Sequence, residues 1–284
     1  MTKCDVFIGL SGVSMNSLKV AKVKYNAITI CDRGAAHVLK QNDLIKNSKS
    51  NKLPTNYITR ELNSYEEADY IIIPSFFSLN TFLEQGLSKK KIFVNNYGVN
   101  LDRFYSKDSI SIKSNKINAL FVGSWSYQKG VDIINKVIEV DPDFHVTHIG
   151  INNGQSIIDS RNFKSIGHVP NHELVNHYNN YDVLLLPSRQ DGFGMVILEA
   201  LSCGLSVIAS TNTGAPDIKS VIANKNSVLI MESIDEIGLV NALKEFRLNK
   251  SFTSGLTVRD KENFTWQAYG TRYVNFIKGI VNGS

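Results

Sequence analysis

Short apolar runs alternate along this chain with longer stretches in which apolar residues recur every three or four positions. The runs of about four to seven residues predict strands, and several lack the polar alternation of a sheet with one face in water. The longer stretches have the spacing of helices with one apolar face. Strands are predicted at residues 4–10, 27–31, 70–73, 92–95, 118–122, 145–149, 162–166, 183–186, 206–209 and 227–230. Helices are predicted at residues 34–40, 62–68, 79–84, 131–140, 172–178, 194–202, 234–246 and 265–281.

This alternation predicts an α/β fold with two open, doubly wound sheets, in which ligands bind beyond the carboxyl ends of the strands. A polar stretch at residues 106–115 marks the predicted division between a first domain at 1–110 and a second at 111–262. A terminal helix follows within 263–284. Four aromatic residues share one face of that helix, which we interpret as part of a core: Trp266, Tyr269, Tyr273 and Phe276.

Length and composition are those of an ordinary globular protein. The 284 residues allow about two domains, and 43% hydrophobic with 20% charged residues exclude a disordered or fibrous chain. No apolar run approaches the roughly 18–20 residues that span a bilayer, and the first residues lack the features of a signal peptide. Cys4, Cys31 and Cys203 have no metal-ligand spacing. We interpret them as buried thiols of a protein in the reducing cytoplasm.

Positive charge is concentrated in the first part of the chain. The formal net charge of +5 lies within residues 1–110, and most of the excess lies in 19–52. Two interpretations stay open, a solvated face or a surface for an anionic partner such as a lipid-phosphate acceptor or the inner face of the membrane. Nucleic acid is not expected, because the basic residues lack interleaved aromatics and any binding motif. The basic residues are Lys19, Lys22, Lys24, Arg33, Lys40, Lys46, Lys49 and Lys52.

The segment at residues 187–204 is the most informative for chemistry. A buried strand enters a loop that contains Gly192 and Gly194, and a helix begins within this loop. These glycines let the backbone approach a ligand closely, and the helix N-terminus offers N–H groups and a positive dipole end to an anion. Asp191 precedes the helix and Glu199 lies in it, a little over two turns apart. Both carboxylates can therefore contact one elongated ligand.

Six segments carry a resemblance to a known family. They are DGFGMVILE at 191–199 with CGLSVIAS at 203–210, FVGSWSYQKG at 121–130, IGHVPNHEL at 166–174, TNTGAPDI at 211–218 and NNYGVNLDRF at 95–104. Together they resemble the retaining glycosyltransferases of family four, the glycosyl transferases group 1. The resemblance implies a GT-B fold of two Rossmann-like domains with a cleft between them. It also implies a reduced N-terminal domain and a terminal helix, opened by Trp266, that crosses back to the first domain.

Through this resemblance, Lys129 is expected to pair with a donor diphosphate and Asp191 to hold hydroxyls of the donor sugar. Glu199 is expected to accept the ribose hydroxyls, and the loop with His168 and Val169 to contact the nucleobase. Lys129 and Asp191 are the expected catalytic residues of the second domain. The whole donor-binding set implied by the resemblance is Gly123, Ser124, Lys129, His168, Val169, Arg189, Asp191, Gly192, Phe193, Gly194, Met195, Val196 and Glu199.

The chain departs from the family pattern in the donor half. Asp191 stands where the family usually has glutamate, which draws the contact back by about one methylene. Ser124 stands where the family often has an arginine that acts on the diphosphate. Arg189 either compensates from the neighbouring strand end or is a structural or surface arginine.

The first domain is shorter than the family pattern, because the opening strands of the family have no clear equivalent in this sequence. The loop with Gly9 and Gly12 is either a substitute phosphate loop or an ordinary strand-ending turn. We expect a reduced sheet of about four strands with an exposed edge that a partner subunit, a second copy or the membrane covers.

The segment DRGAAH at residues 32–37 resembles a loop that faces the acceptor in some bacterial members. His37, the third expected catalytic residue, then orients the acceptor hydroxyl or the reacting sugar, and Arg33 binds an acceptor phosphate. The alternative is a packed histidine. The other five histidines have no zinc-site spacing, so we expect no metal and no cofactor.

The function implied by the resemblance is transfer of a sugar from a nucleotide sugar, with UDP or GDP as the expected nucleotide, to a saccharide or lipid-linked acceptor. The expected setting is surface polysaccharide or glycolipid synthesis, in the cytoplasm or at the inner face of the membrane. Two alternatives stay open. One is a nucleotide-sugar-binding subunit that needs a partner chain, and the other is a different GT-B enzyme such as a sugar-nucleotide epimerase.

Overall fold

Two wholly parallel sheets organise the computed structural model, which describes residues 2–47, 52–107, 116–248 and 255–283. The chain divides into two units. Unit 1 comprises Met1–Tyr97 and Gln267–Ser284, and unit 2 comprises Gly98–Trp266. None of the described helices is long and apolar enough to cross a membrane.

Unit 1 contains a four-stranded sheet in the order β1-β2-β3-β4, as predicted for a reduced first sheet. Its core joins residues of the strands to helix faces, among them Leu18, Ile71, Tyr65 and Phe82. The strands are β1 Val6–Leu10, β2 Ile28–Asp32, β3 Tyr70–Ile73 and β4 Ile92–Val94. The helices are α1 Met15–Tyr25, α2 Val38–Asn47, α3 Thr55–Glu67 and α4 Phe76–Leu83.

Unit 2 contains a six-stranded sheet in the order β10-β9-β8-β5-β6-β7. Within this unit the first strand, β5, lies in the middle of the sheet. Strands β6 and β7 follow on one side of it and β8, β9 and β10 on the other, so the strand order reverses between β5 and β8. The strands are β5 Ile117–Val122, β6 Phe144–Ile149, β7 Phe163–Ser165, β8 Val183–Leu186, β9 Ser206–Ala209 and β10 Val228–Ile230. The helices are α5 Val131–Val140, α6 Leu174–Tyr178, α7 Met195–Ser202, α8 Ala215–Val221, α9 Glu236–Leu248 and α10 Val258–Asn263, and the chain ends with α11 Trp266–Asn282.

The strands of unit 2 are buried as their apolar runs predict. Every residue of β8 and β9 is buried, because helices cover both faces of this parallel sheet. One face packs Phe121, Leu185 and Ile208 against helices α5 and α9. The centre of this sheet is therefore part of the core of unit 2.

All ten predicted strands are present, within two residues at each end. The helices were predicted less well. Helix α2 begins at Val38 rather than at residue 34, and α8 and α10 were not predicted. Helix α1 was also not predicted, because only Leu18 and Ala21 of its residues are buried and its outward side carries valines.

The division of the chain differs from the predicted one at residues 106–115. The chain passes from unit 1 to unit 2 after Tyr97. Val99 already belongs to unit 2, because its N–H donates to the Phe264 carbonyl at 2.7 Å and it forms a bridge with Thr265. Residues 108–115 of the predicted linker lie outside the described residues, as does Lys49 of the basic stretch.

The terminal helix packs within unit 1 through part of its aromatic stripe. The Phe276 ring stacks on Phe93 with centroids 4.3 Å apart, and Tyr269 lies near Tyr97 at 5.9 Å. Trp266, in contrast, is about half exposed, and the other three aromatic residues of the stripe are only half-buried, so the interpretation of the stripe as core is wrong.

Candidate functional site

The loops that follow β5 and β8 meet where the strand order of unit 2 reverses. The Arg189 N–H donates to the Gln128 carbonyl at 2.9 Å, and the Gln128 side-chain amide donates to the Gln190 carbonyl at 3.1 Å. These bonds fix the loop of Lys129 against the loop of Asp191. Ligands of open α/β sheets bind at such a point.

An ion pair joins the two loops. The ammonium of Lys129 donates a hydrogen bond to Oδ2 of Asp191, and both side chains are part-buried. The backbone of Asp191 is held by its N–H bond to the Asn212 carbonyl at 2.9 Å. The structure thus brings together the cation and the first carboxylate expected from the sequence, but they bind each other.

Helix α7 begins directly beside this pair. Gly194, which precedes it, has φ 78° and ψ 70°, and a Cβ there would lie 2.6 Å from Leu186 Cδ2, so a side chain is excluded by conformation and by space. The first turn of α7 has no acidic residue. The N–H groups of Met195 and Val196 have no intrahelical acceptor, and they give this end of the helix a preference for anions.

Glu199 lies on α7 as a buried carboxylate with one clear partner. The Tyr178 hydroxyl donates to Glu199 Oε2 at 2.7 Å. Burial raises the pKa of Glu199 above its ordinary value, while the Tyr178 hydrogen bond and the positive charge of Arg103 act in the opposite direction. Among the described residues no donor bonds the other oxygen, Oε1, which leaves it able to accept from a ligand.

A cavity of about 420 Å³ opens at the carboxyl ends of β5 and β6. This volume is within the usual range for small-molecule sites, about 300–1,000 Å³. Gly123, Ser124, His168 and Val169 line it, so the structure brings these four predicted residues into one pocket. Beneath it, the buried His148 ring lies 2.9 Å from the Gly123 carbonyl through Nε2, and burial lowers its pKa.

Arg189 does not compensate for the serine at position 124. Its guanidinium is bound bidentately by Asp132 at 2.6 and 2.7 Å, donates to the Tyr127 carbonyl at 2.9 Å and lies 3.8 Å from the centroid of the Tyr127 ring. A guanidinium held by a carboxylate fork and an aromatic face is a structural element of these loops. The expectation that it binds the donor is not supported.

Arg33 was expected to bind an acceptor phosphate, and the structure contradicts this. Its guanidinium is buried within unit 1, 2.8 Å from Glu61 Oε1, and donates to Gln41 Oε1 at 3.0 Å and to the Ala36 carbonyl at 3.2 Å. A buried arginine needs such a carboxylate partner to offset the loss of water. Its donors are therefore used inside the core.

His37 is likewise buried, although it borders a cavity of about 270 Å³ that Tyr65 and Lys91 also line. Its ring lies 5.1 Å from the Tyr65 ring and 4.9 Å from the Phe82 ring, and Nδ1 accepts the Leu39 N–H at 3.3 Å. Burial, aided by the charge of Arg33, lowers the pKa of His37 to about 4. The neutral ring is part of the core of unit 1, and the alternative left open by the sequence is the one observed.

The remaining predicted residues are Gly9, which lies within strand β1, and Gly12, which lies in the turn after that strand. Gly12 has φ 71°, and a Cβ there would lie 2.5 Å from Glu61 Oε1, while its N–H donates to Ser64 Oγ at 3.2 Å. The turn is packed against helix α3. This geometry is that of a strand-ending turn and gives no support to a phosphate loop.

Sequence reasoning missed several residues that shape the candidate site: His148, Asn171, Tyr178 and Asp132. Only Asn171 had a local signal, since it lies within the segment at residues 166–174 that also contains His168 and Val169. The other three act through contacts between distant parts of the chain. No group of three or more histidine, cysteine, aspartate or glutamate residues arranged to hold a metal occurs in the part of the chain that the structure describes.

Comparison with known proteins supports one family. The model of the family described as "Glycosyl transferases group 1" matches residues 102–254, more than half of the chain. A relative described as an uncharacterised 41.2 kDa protein in the cps region of Klebsiella pneumoniae is 33% identical over 174 residues, covering 58% of this chain and 49% of the relative. An uncharacterised glycosyltransferase of Methanocaldococcus jannaschii is 29% identical over 239 residues, covering 79% of this chain and 62% of the relative. The chain thus spans about half to three fifths of these relatives.

Solved structures share the fold at low sequence identity. Sucrose-phosphate synthase from Thermosynechococcus elongatus has a TM-score of 0.76 at 18% identity, covering 99% of this chain and 74% of that protein. Anabaena HepE in complex with UDP has a TM-score of 0.72 at 14% identity, covering 97% of this chain and 79% of that protein.

Proposed function

The chain belongs to the glycosyl transferases group 1, and from this premise we propose that it transfers a sugar from a nucleotide sugar to an acceptor hydroxyl with retention of configuration. Its α/β architecture with parallel sheets matches GT-B glycosyltransferase structures. The observation that carries the proposal is the carboxyl edge of the unit 2 sheet. There a cavity, the N-terminus of α7, the ammonium of Lys129 and the carboxylates of Asp191 and Glu199 lie on segments that follow strands β5, β6 and β8.

The residues of this edge have complementary roles in the proposed donor complex. The nucleobase occupies the cavity lined by His168 and Val169, and Glu199 accepts the two ribose hydroxyls through its available oxygen and the one that Tyr178 also contacts. The diphosphate binds the N-terminus of α7 and Lys129. For this to occur, Lys129 exchanges its contact with Asp191 for one with the phosphate, and Asp191 becomes available to the sugar hydroxyls.

The proposed chemical step forms and breaks bonds on the same face of the sugar. The bond between the anomeric carbon and the donor phosphate oxygen breaks, the acceptor oxygen bonds to that carbon, and the acceptor proton passes to the leaving phosphate. Lys129 and the α7 N–H groups stabilise the negative charge that develops on the leaving group. In this scheme positioning and electrostatic stabilisation supply the catalysis, without a protein nucleophile or a metal.

For the substrates, we propose a UDP- or GDP-sugar and a saccharide or lipid-linked acceptor of surface polysaccharide or glycolipid synthesis, in the cytoplasm. The relative in a cps region supports the polysaccharide setting, and the HepE complex supports UDP as a nucleotide that this fold accommodates. These are properties of the similar proteins, and their transfer to this chain is the proposal.

The proposal is tested by donor binding followed by product analysis. In a thermal-shift screen of UDP-, GDP-, ADP- and CMP-sugars, we expect one nucleotide class to raise the midpoint, since a ligand at about 100 times its Kd stabilises the folded state by about 2.7 kcal/mol. Incubation of that donor with candidate acceptors is then expected to give a glycoside of unchanged anomeric configuration by NMR. Inversion would contradict the retaining mechanism. A new sugar nucleotide formed without acceptor would instead indicate an epimerase.

A second candidate function is donor binding by a subunit that needs a partner chain. It is favoured by the burial of Arg33 and His37, which removes both expected acceptor-binding side chains from the surface of unit 1. Donor binding at normal affinity without transfer or donor hydrolysis would support this second function over the first.

A further inference from the structure

The buried His148 ring holds the loop that follows β5, and the proposed transfer reaction does not use it. His148 lies on β6 among the rings of Phe121 and Trp125, whose centroids are 5.6 and 4.9 Å from its own. Its Nε2 lies 2.9 Å from the Gly123 carbonyl oxygen, and its Nδ1 lies 2.9 Å from the Ser165 hydroxyl. Because a carbonyl oxygen only accepts, Nε2 carries the hydrogen, and Nδ1 of the neutral ring accepts from Ser165.

The Gly123 carbonyl is held towards β6 by its surroundings. Gly123 has φ 145°, in the region that favours glycine, and its N–H donates to the Ile149 carbonyl at 2.9 Å. A Cβ at position 150 would lie 2.0 Å from the Gly123 oxygen, so Gly150 leaves the space that this carbonyl occupies. The hydrogen bond from His148 then fixes the direction of the carbonyl within that space.

The direction of this carbonyl decides where the next N–H points. The peptide bond between Gly123 and Ser124 is trans, and the C=O and N–H bonds of a trans peptide point in opposite directions. The Ser124 N–H therefore points away from β6, to the side of β5 on which β8 lies. Trp125 continues the alternation, since its N–H points to the β6 side again and donates to the Ile151 carbonyl at 2.8 Å.

The Ser124 N–H is available to a ligand. Among the described residues none accepts a hydrogen bond from it, and Ser124 lines the cavity of about 420 Å³. The described residues that line this cavity include no aspartate or glutamate. On the β8 side, the loop of Lys129 meets the loop of Asp191, where the proposed function places the diphosphate.

We propose that His148 is a positioning residue for donor binding: by holding the Gly123 carbonyl, it directs the Ser124 N–H at a phosphate oxygen of the bound nucleotide. The inference rests on the proposed function, which supplies the diphosphate, and it adds an uncharged donor to Lys129 and the N-terminus of α7. His148 acts through the peptide and does not contact the donor, because both of its ring nitrogens are bonded within unit 2. Loss of a hydrogen bond to a charged group typically lowers affinity about ten- to 100-fold.

The test compares a nucleoside diphosphate with the nucleoside that lacks the phosphates. UDP and uridine are the probes, or the matching pair for the nucleotide that the donor screen selects, and calorimetry measures their affinities. His148→Phe keeps an aromatic ring but cannot donate to the Gly123 carbonyl. We expect it to weaken diphosphate binding about tenfold or more and nucleoside binding less than about threefold. His148→Gln, whose side-chain amide can replace the Nε2 donor, should restore diphosphate affinity to within about threefold of the wild type.

The matched control is His145→Phe. His145 lies on the same strand three residues earlier, so its side chain is on the other face of the sheet, and its Nε2 has no partner among the described residues. We expect less than about a twofold change for both probes. Equal losses of diphosphate and nucleoside affinity in His148→Phe would overturn the proposal, because the substitution would then disturb the whole pocket. A folded His148→Gln that binds as weakly as His148→Phe would also overturn it.

A measurement on the wild-type chain covers the case in which His148→Phe does not fold. In protein with isotope-labelled serine, the Ser124 amide signal is the one that is missing from labelled Ser124→Ala. We expect UDP to move its proton signal downfield and uridine to leave it nearly unchanged, and an unmoved signal at saturating UDP would overturn the proposal. If the wild type bound no nucleotide, the proposed function would fail and this inference with it. Diphosphate binding that is unchanged in folded His148→Phe would overturn the positioning role alone.

Discussion

The ammonium of Lys129 forms an ion pair with the carboxylate of Asp191, and the two side chains come from loops after β5 and β8, strands adjacent in the sheet. Any anion that binds Lys129 competes with Asp191. Binding of a diphosphate to Lys129 would therefore free the carboxylate of Asp191 from its ion pair. The sequence motifs predicted two separate donor contacts, and the structure adds their mutual contact.

Replacement of Lys129 by alanine tests the cationic part of the proposed site. We expect Lys129→Ala to lower the transfer rate about 100-fold or more at saturating donor, because loss of one contact to the developing charge typically costs two to three orders of magnitude. The rate is measured by release of nucleoside diphosphate. Lys136→Ala is the control, since Lys136 is an exposed lysine of helix α5 paired with Glu236. A Lys129→Ala rate equal to that of the control would contradict the assignment.

Replacement of Asp191 by asparagine separates nucleotide binding from sugar binding. The amide keeps the shape but frees Lys129, so we expect affinity for the nucleoside diphosphate to stay constant or rise up to about fivefold, the upper effect of such an ion pair. Transfer is expected to fall about 10- to 100-fold, because a charged hydrogen bond to the sugar is lost. Calorimetry measures the affinity for the nucleoside diphosphate, and product assays measure the transfer rate. Asp159→Asn is the control, because Asp159 is exposed. A large loss of nucleoside diphosphate affinity in Asp191→Asn would contradict the assignment of Asp191 to the sugar and of Lys129 to the diphosphate.

The positions of the strands could be predicted because buried parallel strands leave continuous apolar runs, as at residues 183–186. Helix α1 could not be predicted, because only Leu18 and Ala21 of its residues are buried. Its exposed valines obscure the spacing of apolar residues that indicates a helix. The structure places residues of two local motifs, Ser124 and His168, at one cavity, and their binding roles stay predictions.

The errors concern charged and titratable side chains whose partners are distant in sequence. Arg189 is 57 residues from Asp132, and Arg33 is 28 residues from Glu61. No local pattern shows that these carboxylates fold against the guanidinium groups. A basic residue beside a motif is therefore a candidate ligand until its ion-pair partner in the fold is known.

Donor affinity is expected to depend on pH through Glu199. Burial raises the pKa of this carboxyl, so protonation on acidification starts at a higher pH than for an ordinary glutamate. The protonated form is a poorer acceptor for ribose hydroxyls, and nucleotide affinity should fall as the pH decreases through that raised pKa. Tyr178→Phe removes a hydrogen bond that favours the charged form and should move the fall to higher pH. Titration calorimetry over a pH series measures both shifts.

The control for this pH effect is Glu199→Gln, which has no carboxyl to titrate. Its nucleotide affinity should be low and nearly independent of pH in the acidic range. If Glu199→Gln kept the wild-type pH profile, another group would be responsible and the role of Glu199 would be wrong.

Arg189 is expected to contribute to stability and not to donor binding. Arg189→Met removes the bidentate bond to Asp132 and the contact with the Tyr127 ring, and should lower the free energy of unfolding by about 1–3 kcal/mol. Nucleotide affinity, measured below the unfolding range, should change less than about twofold. A loss of affinity as large as that of Lys129→Ala, with unchanged stability, would restore Arg189 as a donor ligand.

His37 should make the stability of the protein fall on acidification. Its folded-state pKa is about 4, against about 6.5 for an unfolded histidine, so the unfolded chain binds the proton first as the pH decreases below 6.5. Between pH 7.5 and 5 this linkage amounts to about 2 kcal/mol. We expect the wild type to lose about that much more unfolding free energy over this range than His37→Asn, which is less stable at pH 7.5 but lacks the titrating ring.

Denaturant unfolding at the two pH values measures the difference. His172→Asn is the control, because His172 is exposed and its loss should leave the wild-type pH dependence intact. Parallel pH profiles for the wild type and His37→Asn would mean that the imidazole can gain a proton in the folded state. The ring would then be accessible to water or to a ligand, which is the behaviour that an acceptor-facing histidine requires and a histidine packed between Tyr65 and Phe82 does not have.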